Sequence, residues 1–217
     1  PLVVEVVSLD WKWLFIYPEQ GVATVNELVA PVNRPIEFHL TSSNVMNAFY
    51  IPALAGMIYT MPGMETKLHA VIDKQGQYEG FSSNYSGAGF SHMRFGFHAT
   101  DEAGFDNWVA GAKRGDSALR RDEYLRLAKP SEREPVRRYA SVDAGLFEAI
   151  LNRCADANRM CMKEMMAVEP GQTPAFDEYT IVTHPVLVGG GTPFFTALDR
   201  WVNLNLVETR TFPGGVV

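Results

Sequence analysis

A chain of 217 residues with 47% hydrophobic and 12% aromatic content holds enough apolar material for the core of a sizeable domain, which excludes global disorder. Its net charge of −6 speaks against nucleic-acid binding, which needs a basic face. No uncharged apolar run approaches the ~18 residues of a membrane span. The opening residues read as strand rather than as the charged and apolar regions of a signal peptide, so the expectation is a piece that starts inside a fold.

Short apolar or alternating runs follow one another through the first hundred residues, with turn signals between them. LVVEVV and WKWLFIY come first, then a turn at Pro18 and Gly21. VATVNELVA, PIEFHLT and VMNAFYI follow, separated by Pro31, Pro35 and Ser42-Ser43-Asn44; METKLHAVI, QYEGFSS and SHMRFGFHA complete the set. Ile36, Phe38 and Leu40 fall on one face of their strand and Glu37 and His39 on the other. Met93, Phe95 and Phe97 alternate in the same way with His92, Arg94, Gly96 and His98. Regular short strands with Gly and Pro punctuation predict an antiparallel sandwich or barrel.

The texture changes at Asp101. Residues 101–168 carry 12 acids and 12 bases, a balance that fits a solvated, salt-bridged surface or one that meets a partner. DEAGFDNWVAGAK predicts a helix with Phe105, Trp108, Val109 and Ala112 on one face, acids at its start and bases at its end. RRDEYLRLA predicts a second helix, stopped by Pro130. A third is expected over 143–166, with Leu146, Phe147, Ile150, Leu151 and Cys154 on its buried stripe. The two cysteines, Cys154 and Cys161, would then stand roughly 10 Å apart, so a disulfide requires that helix to break. The run Met160–Met166 holds soft Cu(I) ligand types. Methionine is also a good helix former and packer, and without a histidine or second cysteine at ligand spacing, packing is the expected role.

Residues 169–217 begin with a turn-rich linker, EPGQTPAF, followed by two strand-like runs, EYTIVTHPVLV and NLNLVETRTF. Gly189 to Gly191 invite a phosphate-binding reading, which would need a preceding βα unit and a following helix N-terminus.

Two family resemblances follow from longer motifs. The stretch from DWKWLFIYPEQGVATVNELVAP through SSNVMNAFYIPALAGMIYTMPGMETKLHAVID and YEGFSSNYSGAGFSHMRF resembles the periplasmic cupredoxin domain of heme–copper oxidase subunit II, with wording similar to the cytochrome o type ubiquinol oxidases. Tyr139 with FDNWVAGAK, YLRLAKPSE and LFEAIL resembles the aromatic-rich region found at the C-terminus of such subunits. The resemblance covers residues 1–168. It implies a mainly β fold, a cupredoxin-like Greek-key β-barrel with a C-terminal helical region, followed here by a short β appendage. The division is into 1–100 (barrel), 101–168 (aromatic-rich, helical) and 169–217. The tail, with DEY, HPVLVGGGTPFF and LVETRTF, resembles the C-terminal piece of dihydrofolate-reductase-like and riboflavin-pathway reductase domains, without the part that holds their cofactor. A chimera is the expectation.

Copper-binding members of the oxidase family use two thiolates and two imidazoles, which suit copper as soft and borderline donors. By the resemblance, Asn47 stands at the first histidine position, Ser82 and Ser86 at the cysteines, Asn84 at the glutamate and Phe90 at the second histidine; only Met93 is kept. The expectation is no copper and no catalytic or cofactor-binding residue in this chain. Heme and copper belong, by the same resemblance, to partner subunit I of a ubiquinol oxidase. The chain would then be a structural and assembly subunit on the periplasmic face of a bacterial inner membrane, whose anchoring N-terminal helices this sequence does not include. His39, His69, His92 and His98 have no metal-ligand spacing and are expected at surfaces or interfaces, and Trp11 and Trp13 in packing. The alternatives are a copper electron-transfer domain, a fragment of an NADPH-dependent reductase, and a stand-alone interaction module.

Overall fold

The computed structural model describes residues 1–167. The expected tail strands, the Gly189–Gly191 turn and the reductase-like segment lie outside the described residues.

Ten strands build the first hundred residues: β1 (Leu2–Leu9), β2 (Lys12–Tyr17), β3 (Val22–Val25), β4 (Glu27–Pro31), β5 (Ile36–Ser42), β6 (Asn47–Tyr50), β7 (Ile58–Thr60), β8 (Thr66–Ala70), β9 (Gly76–Ser82) and β10 (Arg94–Thr100). Then come α1 (Glu102–Lys113), β11 (Ala118–Leu119), α2 (Arg121–Leu127), β12 (Arg137–Tyr139), β13 (Ser141–Val142), α3 (Leu146–Leu151) and α4 (Met162–Ala167). A six-stranded sheet runs β12-β3-β2-β1-β5-β8, and a five-stranded sheet runs β4-β10-β9-β6-β7. Most pairs are antiparallel, but β1 lies parallel to β5 and β4 parallel to β10. This mixed two-sheet arrangement has the cupredoxin form.

The run VATVNELVA, expected as one strand, is two. Asn26 takes a left-handed backbone, φ 56°, which asparagine tolerates better than other side chains. Its Oδ1 accepts from the Trp13 amide at 2.9 Å and its Nδ2 donates to the Glu134 carbonyl at 2.9 Å. The corner sends β3 into one sheet and β4 into the other. β7 was not legible as a separate strand, because its three residues are too short for a period-two pattern.

Two cores result. Val4, Val6, Trp13, Phe15, Phe38, Phe49, Phe95 and Phe97 fill the space between the sheets. Trp13 meets Phe49 and Phe95 edge-on, at 5.4 and 5.7 Å between ring centroids, a favoured aromatic geometry. The outer face of the six-stranded sheet is also covered. There Val7, Leu14, Ile16 and Val25 meet Leu119, Tyr124, Leu127, Tyr139, Phe147 and Ile150. That second cover explains why every residue of β2 is buried, where a one-sided sheet would alternate. Lys12 lies in this layer, 1% exposed; its ammonium donates to the Lys129 carbonyl at 2.8 Å and the Ser131 hydroxyl at 2.6 Å, and burial lowers its pKa.

The aromatic-rich segment is less helical than its pattern predicts. α1 and α2 form where expected, and Asp101 caps α1 by accepting from the Gly104 amide at 2.7 Å. Three short strands were missed: β11 and β13 pair with each other, and β12 joins the edge strand β3. The expected helix over 143–166 is broken. α3 ends where Asn152 folds its Nδ2 back onto the Glu148 carbonyl at 2.9 Å, and the chain resumes helix only at Met162. The break brings the Cα atoms of Cys154 and Cys161 to 4.8 Å, and they form a disulfide. The separation of roughly 10 Å expected for an unbroken helix is thereby corrected.

Candidate functional site

The positions expected, by the resemblance, to stand in place of copper ligands gather at one end of the sheets. β6 opens with Asn47 and β9 closes with Ser82; Asn84 and Ser86 lie in the following loop, Phe90 starts a 3-10 turn and Met93 follows it. Asn47, Ser82 and Met93 are buried. The Ser82 hydroxyl lies 2.9 Å from Asn47 Oδ1 and 3.2 Å from the Asn84 carbonyl, so its one proton serves two acceptors. It also accepts from the Ala48 amide at 3.4 Å. Asn47 Nδ2 donates to the Val45 carbonyl at 3.3 Å. Asn47, Ser82 and Asn84 are therefore one hydrogen-bonded cluster. Ser86 and Met93 form another contact, with Oγ 4.0 Å from Sδ. Phe90 meets Tyr85 edge-on at 5.6 Å.

Two indoles hold the loop. Trp11 Nε1 donates to the Ser86 carbonyl at 3.1 Å and Trp13 Nε1 to the Met93 carbonyl at 3.4 Å. The Trp11 ring lies across Gly89 so closely that a Cβ there would stand 2.5 Å from ring carbon Cδ2; only glycine fits. Sequence reasoning assigned these tryptophans to packing and missed their donor role. Thr60 was missed as well: its Oγ1 is 2.7 Å from Ser8 Oγ, beneath the Asn47 strand. No pattern marked it, because β7 itself was invisible.

Hydroxyls, carboxamides and a phenyl ring are poor copper donors, and the one thioether is not accompanied by thiolate or imidazole. The donor set does not fit a dinuclear copper centre. The neighbouring histidine, His92, has its Nε2 3.1 Å from Arg133 Nη2.

The other histidines lie apart. His39 on β5 stands between Glu37, at 2.9 Å, and Glu65. His69 on β8 lies opposite Glu37 in the strand pairing. His98 Nε2 is 4.0 Å from Glu27. His92, expected within the strand-like run SHMRFGFHA, sits instead in the 3-10 turn that precedes β10. Beside His39 in the β1–β5 register is Glu5. Burial raises its pKa to about 7, against the opposing pull of His39 and with help from Glu65 and Glu148.

Residues 19–100 match the family described as cytochrome c oxidase subunit II, periplasmic domain. Residues 113–158 match the COX aromatic rich motif. The periplasmic domain of subunit II of cytochrome oxidase (CoxB) of Bradyrhizobium japonicum superposes with TM-score 0.50 at 26% identity, over 52% of this chain and 94% of that one. The chain thus carries an oxidase subunit II periplasmic domain of cupredoxin type, followed by its aromatic-rich motif.

Within that class, its curated relatives include second subunits of quinol oxidases. It is 50% identical over 159 residues to cytochrome bo(3) ubiquinol oxidase subunit 2 of Pseudomonas putida, covering 73% of this chain and 51% of the relative. It is 53% identical over 151 residues to ubiquinol oxidase subunit 2 of Acetobacter aceti, covering 70% and 49%. The chain spans about half the length of these relatives.

Proposed function

We propose that this chain is the periplasmic part of subunit II of a ubiquinol oxidase, without the dinuclear copper centre. The observation that carries the reading is the buried Asn47–Ser82 hydrogen bond at 2.9 Å, between two positions that the resemblance matches to metal ligands of copper-binding members. A polar pair that satisfies itself at the strand ends, beside a loop braced by Trp11 and Trp13, keeps the cupredoxin shape without a metal to organise it. The likeness to quinol oxidase second subunits supports the same reading.

In this reading the complex oxidises ubiquinol and reduces oxygen, with proton pumping, and heme and copper reside in partner subunit I. Electrons from a membrane quinol need no copper relay in a periplasmic domain. This chain then contributes a folded cap and an assembly surface on the periplasmic face, and other oxidase subunits are its partners. The Cys154–Cys161 disulfide supports an oxidising compartment such as the periplasm.

The test is a domain exchange. Residues 1–168 replace the corresponding part of subunit 2 in the Pseudomonas putida oxidase, and ubiquinol-dependent oxygen uptake is measured in membranes. Retained uptake, with no purple copper chromophore after Cu(II) addition to the purified domain, is the expected result. A purple chromophore removed by Ser82→Ala, or a folded hybrid that fails to assemble with subunit I, sinks the reading.

A further inference from the structure

A second feature at the same end of the domain is independent of the lost ligand positions. Of the nine methionines in the chain, Met61 and Met64 flank one turn, Met162 lies against it, and Met46 is on the neighbouring segment. Met61 and Met64 face each other across Pro62-Gly63 in an antiparallel bridge. The Met64 amide donates to the Met61 carbonyl at 3.3 Å, and Gly63 takes φ 73° to close the turn. In the β6–β7 pairing the last pair is Asn47 and Thr60, and Met46 and Met61 are the next residues out along the two chains. Asn47 and Thr60 are buried, whereas Met46 and Met64 are 42% and 54% exposed. From the aromatic-rich segment, Met162 seats its thioether on the turn. A methyl group built on Gly63 would lie 3.0 Å from Met162 Sδ and 3.1 Å from its Cε. The adjoining disulfide and the Met162 amide, which donates to the Asn152 carbonyl at 2.9 Å, fix that placement.

We propose that this thioether cluster binds a soft monovalent cation, Cu(I) in the cell, through Met61, Met64 and Met162 with Met46 at its rim. Thioethers are soft, neutral donors that favour Cu(I) over harder ions. The neighbouring cysteines are locked in a disulfide and do not compete. Thioethers also carry no proton between pH 5 and 8, so affinity is flat with pH, unlike that of imidazole or thiolate sites, which must first lose protons. Met93, buried beneath Ser86, and Met57, whose sulfur accepts from the Ser83 hydroxyl at 2.8 Å, stand outside the cluster and serve as internal references.

The experiment titrates Ag(I), a redox-inert stand-in for Cu(I), into the full chain labelled with 13C in its methionine methyl groups, in chloride-free buffer. The methyl signals of Met61, Met64 and Met162 should move together and saturate, Met46 should follow, and Met93 and Met57 should stay. Apparent affinity should be unchanged between about pH 5.5 and 8, since none of these donors titrates there. A Met61→Leu/Met64→Leu variant keeps the bulk of both side chains and should weaken binding at least about tenfold, worth ~1.4 kcal/mol. Its unshifted Met93 methyl signal reports an intact fold. Shifts confined to Met160 and Met165, no saturable shift at all, or unchanged affinity in the variant would each overturn the proposal.

Discussion

Glu27 shows how a single side chain can join three parts of the chain. It is 6% exposed, and both carboxylate oxygens accept from Arg138, at 2.7 and 2.8 Å; Trp108 Nε1 lies 3.3 Å away. Glu5 stands in contrast, a carboxyl with no such cation against it and a pKa raised to about 7, chiefly by burial. A folded state that holds its proton more tightly than the unfolded chain is favoured at low pH. Glu5 therefore contributes stability that is present below about 4.5 and is lost as pH rises to about 7. After allowance for its partial solvation, the loss is about 1–2 kcal/mol. In Glu5→Gln, the fall in unfolding free energy between these pH values should flatten by that amount in urea titrations. An unchanged slope would show that Glu5 is solvated in the folded protein. None of these roles was legible in the sequence. A charged residue in an alternating strand reads as solvent-facing, and its burial is decided by residues more than a hundred positions away.

Among the elements, those with a clean period were legible and those governed by one special residue were not. The alternation in Arg94–Thr100 and the apolar face of α1 appear as read. Asn26 defeated the pattern, because VATVNELVA is apolar on both sides of the corner. Asn26→Leu should cost about 2–4 kcal/mol, from a strained left-handed backbone and unpaired Trp13 N–H and Glu134 C=O groups. Thermal unfolding would register this as a markedly lower Tm, and a variant as stable as the parent would show that the corner relaxes. The helix expected over 143–166 failed for a related reason. Its apolar spacing is helical, but Asn152 caps the first turns and the disulfide closes the stretch 154–161 into a loop before helix resumes at Met162. Asn47 and Ser82 have no distinctive type or spacing of their own, so only the resemblance drew attention to them.

At the scale of the described molecule, barrel and aromatic-rich segment are one structure. β12 occupies the edge of the six-stranded sheet, Arg138 neutralises Glu27, and the second core covers the sheet's outer face. A chain ended at Pro135 should expose the β3 edge and leave Glu27 a buried, unpaired charge, at a cost of about 3–5 kcal/mol. Light scattering should then find larger species than the full chain gives. A monodisperse truncated protein with unchanged Tm would refute this account of the edge. The β12–β3 pairing also has a temporal meaning. Its partners, such as Arg138 and Thr24, are more than a hundred residues apart, so loop closure makes it a slow, late contact. Throughout synthesis the growing chain presents an unguarded strand, and its vulnerability ends only when the last third of the domain has arrived to close it.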